Sequence, residues 1–80
     1  MKQEVARLVV NCAMKISVEL ESIVPLLKLH ASTEEEREFT AKILAIIETL
    51  NTELVRPMYN KFPEIERDVQ FLMDKFGRIS

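Results

Sequence analysis

Three apolar ladders constrain what this chain can become. Ala6, Val9, Ala13, Ile16, Leu20, Ile23 and Leu27 alternate at three- and four-residue spacings. So do Phe39, Ile43, Ile46 and Leu50, and so do Phe62, Ile65, Val69, Leu72, Phe76 and Ile79. A repeat between three and four residues puts each set on one face of an α-helix. No stretch alternates with the period of two that a half-buried strand requires. The sequence therefore predicts an all-α protein.

Eighty residues make a single domain spanning 1–80. A chain of this length buries only roughly 60% of the surface it exposes when unfolded, so its core is thin. Self-association is a common way for small domains to add buried area. One glycine leaves little material for hairpin turns and none for a glycine-rich phosphate loop.

The ladders and the punctuation between them predict three helices, at about 2–29, 34–56 and 63–76. The first carries Pro25 in its interior, where a missing N–H and a clash with the preceding turn predict a kink near Glu21–Val24. His30-Ala31-Ser32-Thr33 forms the connection to the second helix. Thr33 with Glu36, or Ser32 with Glu35, has the spacing of a capping box. The acidic run Glu34-Glu35-Glu36 then sits at the positive end of the helix dipole, which explains it without a binding role. Pro57 disfavours helix at Arg56, so the second helix is expected to end or kink there. Asn60-Lys61-Phe62 follows as the second connection. Pro63 suits the first turn of the third helix, and Gly77 its C-terminal cap. Short connections imply an up-down-up three-helix bundle with a long, Pro25-kinked first helix.

The helix faces carry the functional expectation. In the second helix, Phe39, Ile43, Ile46, Ile47, Leu50 and Leu54 share one side. The first helix is apolar on two sides. Leu8, Cys12 and Leu26 widen its main ladder, while Val10, Met14 and Val18, at i, i+4 and i+8, form a second stripe. If the main ladder faces the core, the second stripe needs another cover, and an identical chain is the simplest. The alternative is that the other two helices wrap most of the first. In the third helix, Phe71 points away from the ladder, among Glu64, Arg67, Lys75 and Arg78. A lone aromatic there is covered by long basic stems or anchors an interface. Val10, Met14, Val18 and Phe71 are thus the candidate partner-binding residues.

Chemistry is poorly represented. His30 is the single histidine and Cys12 the single cysteine, so no second histidine is present for zinc and no internal disulfide can form. The two are 18 residues apart on the same predicted helix, roughly 27 Å if it is straight, too far to share one metal or one nucleophilic site. No Glu-x-x-His pair suggests a bundle di-metal centre. His30 reads as a C-terminal helix cap and Cys12 as a small buried apolar residue. No catalytic residue, cofactor or metal site is expected.

Formal charge is −2, with no segment in basic excess. Residues 57–80 balance four Lys/Arg against four Asp/Glu. Nucleic acid is therefore not the expected partner. No uncharged apolar run approaches the ~18 residues of a membrane span, and no signal-peptide pattern opens the chain, so a cytoplasmic protein is expected. The sequence reading is a small helical protein–protein interaction module, homodimeric, without catalytic chemistry of its own. The alternatives are a dimeric nucleic-acid-associated regulator, an enzyme with a site shared between subunits, and a component of a larger assembly.

Overall fold

The computed structural model describes the backbone of residues 1–76 and the side chains of residues 1–70. Its order is α1 (Gln3–Glu21), α2 (Val24–His30), α3 (Thr33–Leu50), a π-helical turn (Asn51–Val55), α4 (Arg56–Lys61) and α5 (Pro63–Phe76). No strand occurs among the described residues. These elements form three helical legs, as the ladders imply, but two of the legs differ from the sequence reading.

The expected single helix 2–29 is two helices. Ser22 and Ile23 interrupt it, three and two residues before Pro25. The Ile23 N–H reaches back only to the Leu20 carbonyl, 3.2 Å away, and the Ser22 hydroxyl donates to the Glu19 carbonyl at 2.6 Å. The interruption leaves Pro25 in the first turn of α2, where no intrahelical N–H is needed.

The second leg does not end near Arg56. It continues to Lys61, because the helix widens just ahead of Pro57. In the π turn the Arg56 N–H bonds to the Asn51 carbonyl, five residues back rather than four. The extra residue opens the turn that the proline ring would otherwise strike, and Pro57 becomes an early residue of α4. Phe62 then leaves helical geometry, with φ −133° and ψ 77°, and α5 begins at Pro63.

The start of α3 is specified chemically. The Ser32 Oγ accepts from the Glu35 N–H at 3.1 Å, and the Glu35 carboxylate accepts from the Ser32 N–H at 3.1 Å. Both halves of the capping box are present. The Ser32 backbone N–H, donating to the carboxylate, is the larger cause that holds the Glu35 pKa below its ordinary value, and the Ser32 side chain is the smaller.

α1 packs on α3, the π turn and α4, and α2 packs on α3, so the second leg runs back along the first. Ala6, Val10 and Ala13 of α1 meet Val55 of the π turn and Ile65 of α5 in one buried cluster. Met14, Met58, Tyr59 and Phe62 pack against it. Ile43 and Ile47 are buried on α3. Arg7 reaches Asp68, 2.6 Å away, and ties α5 to α1.

The resulting body is thin and long, 44 × 26 × 14 Å. Its radius of gyration is 14.9 Å, whereas about 12 Å is usual for a chain of this length. Its accessible surface is 6231 Å², whereas a compact monomer of this mass exposes about 5,000 Å².

Candidate interaction surface

The phase of α1 decides which residues face outward. The buried residues are Ala6, Val10 and Ala13. Small side chains at 6 and 13 let the π turn and α4 approach closely, and Val10 fills the space between. Val10 is 0% exposed, so the expectation that it belongs to an open stripe is corrected: it is a core residue of its own chain. Met14, from the same expected stripe, is half-buried against the core. Only Val18 of that set is exposed, at 44%. The side chain of Phe71 lies outside the described residues.

The open apolar stripe lies elsewhere on α1. Leu8 is 67% exposed, Val5 44% and Ile16 40%. Cys12, expected in the interior, is exposed between them. At about 100° per residue, Val5, Cys12 and Ile16 lie roughly 140–180° round the helix from Arg7, and Leu8 roughly 100°. Arg7 marks the side that α5 covers, so the stripe faces away from α5. Val9 and Leu20, half-buried, border it on the side toward the second leg.

The second leg leaves apolar side chains open as well. Phe39 and Ile46 are exposed, and the Lys42 ammonium sits 5.1 Å from the centre of the Phe39 ring. Glu4 and Lys15 flank the α1 stripe along its Leu8 edge.

A smaller feature lies at the π turn. Asn51, Val55, Arg56, Tyr59 and Glu66 line an open recess of about 290 Å³. This is at or below the low end for small-molecule sites, roughly 300 Å³. Tyr59 is raised above its ordinary value, first by burial and then by the neighbouring Glu66 carboxylate. Among the described residues, no three His, Cys, Asp or Glu side chains gather as a metal site would require. His30 is exposed at the end of α2. No described helix is long and apolar enough to cross a membrane. No family model, curated protein or solved structure matches the chain.

Sequence reasoning missed the Val5/Leu8/Cys12/Ile16 stripe because it assigned Ile16 to the core and used Leu8 and Cys12 to widen the core face. A usable signal was present. Alanines at 6 and 13 allow a closer helix approach than the bulky residues at 8 and 16.

Proposed function

We propose that this chain is a small helical protein–protein interaction module that works as a homodimer, by burial of apolar helix faces rather than by catalysis. The observation that supports this reading is the open apolar stripe of α1, where Val5, Leu8, Cys12 and Ile16 are all exposed.

The core points the same way. Seven described apolar side chains are buried, two of them alanine. Twelve large apolar side chains among the described residues are exposed, Leu8, Leu26, Leu29, Leu44 and Ile46 each by half or more. Scattered exposed leucines are ordinary, but a contiguous apolar face is a feature of interaction sites. In the dimer, the three legs of each chain form a fuller bundle than either chain makes alone. The unbridged, exposed Cys12 fits a reducing compartment such as the cytoplasm.

Size-exclusion chromatography with light scattering tests the reading. At micromolar concentration the expected mass is twice the 9.3 kDa of the chain. A particle that stays at the single-chain mass into the millimolar range overturns it.

A further inference from the structure

The homodimer reading leaves open which face is used and how two copies are arranged; the inference that follows rests on that reading. We propose that the α1 stripe of Val5, Leu8, Cys12 and Ile16 packs against the same stripe of a second copy, antiparallel.

Two observations carry this assignment. The first is position. The stripe is the open face of α1, whereas Val10 and Met14 are occupied by the chain's own core. A two-fold axis perpendicular to α1, between the two copies, places α1 over α1 in antiparallel fashion.

The second observation is charge. Glu4 and Lys15 lie on the same edge of the stripe, within about 20° of each other round the helix, and about 16 Å apart along it. Among the described residues neither makes an ion pair within the chain. In an antiparallel pair, like edges face each other. Centring the pair between positions 4 and 15 sets Glu4 beside the partner's Lys15, and symmetry makes this contact twice. The same register puts Leu8 against the partner's Cys12. A parallel two-fold pair would instead set this edge against the partner's opposite edge, leaving Glu4 and Lys15 without each other.

Light scattering and sedimentation on the intact chain and four variants separate the possibilities. Leu8→Glu changes a side chain already 67% exposed, so the protomer fold tolerates it. The expected result is a fall from dimer to single-chain mass with the helical circular dichroism retained. Val18→Glu, on the α5 side of α1, is expected to leave the dimer intact. Lys15→Glu is expected to raise the dimer dissociation constant severalfold, and Glu4→Lys in the same chain to recover most of that loss. If the unaltered chain is a monomer, the homodimer reading and this inference both fail. If it is a dimer that Leu8→Glu leaves intact, the reading stands and the α1 face is wrong. If Leu8→Glu dissociates it but the charge exchange brings no recovery, the antiparallel register is overturned.

Discussion

The Arg7 guanidinium and the Asp68 carboxylate meet at 2.6 Å and join the first helix to the last. The two side chains are 41% and 54% exposed. Exposed pairs contribute little, because water screens them and ordering two flexible side chains costs entropy. A double-mutant cycle with Arg7→Ala and Asp68→Ala is therefore expected to give a coupling of about 0.2–1 kcal/mol, falling as salt is added. A coupling of several kcal/mol would mean that this contact, rather than Ile65, holds α5 in place.

Ile65 and Val10 are the largest fully enclosed side chains. Val10→Ala removes two methyl groups from a site with no solvent to fill it, and is expected to cost about 2 kcal/mol. Val18→Ala, on an exposed position of the same helix, is expected to cost well under 1 kcal/mol. Chemical denaturation of the two variants, at concentrations where the association state is fixed, checks the contrast. Equal costs would show that the buried face of α1 has been misassigned.

Ser32→Ala removes one half of the capping box and is expected to cost about 1 kcal/mol. Glu35 supplies a pH signature. Its folded-state pKa is lowered by the hydrogen bonds from Ser32. A depressed carboxylate contributes stability that is fully present above its ordinary value of 4.5 and is lost as pH falls through the folded value. Glu35→Gln is therefore expected to flatten part of the acid limb of the stability profile while changing little in strong acid. An acid limb identical to that of the unaltered chain would exclude this contribution.

Tyr59 is the only tyrosine, and the chain has no tryptophan, so its phenolate absorbance reports one site. Burial and the Glu66 carboxylate raise its folded-state pKa above the ordinary 10.0. The stability that follows is present below the unfolded value and lost as pH rises through the folded one. An alkaline absorbance titration is expected to show a midpoint above 10.0, and Glu66→Gln should bring it partway back. A midpoint unmoved by Glu66→Gln would leave burial as the only cause.

Local chemistry made some of the fold legible in the sequence. Ser32 and Glu35 have the spacing of a reciprocal cap, and α3 starts there. Pro63 lies at the start of α5. Of the second ladder, Ile43 is buried and Leu50 half-buried, whereas Phe39 and Ile46 are exposed. Two features were not legible. The path through Pro57 depends on one extra residue in the preceding turn, and no residue among Asn51–Val55 announces a π turn. The phase of α1 depends on what packs against it. Leu8, Val10, Cys12 and Ile16 are apolar on opposite sides, so periodicity marks a helix without saying which side is inside. Close approach of Val55 and Ile65 at Ala6 and Ala13 makes that choice, which moves the candidate surface from Val10 and Met14 to Leu8 and Cys12.

On the proposed reading, the exposed apolar face of one chain is covered by another copy, so that association adds to the stability of the fold. The dependence of the unfolding temperature on protein concentration tests this most directly. Calorimetry or circular dichroism melts from low micromolar to hundreds of micromolar are expected to show Tm rising steadily with concentration. A Tm that stays constant across that range would mean that the folded chain stands alone, and would contradict the account.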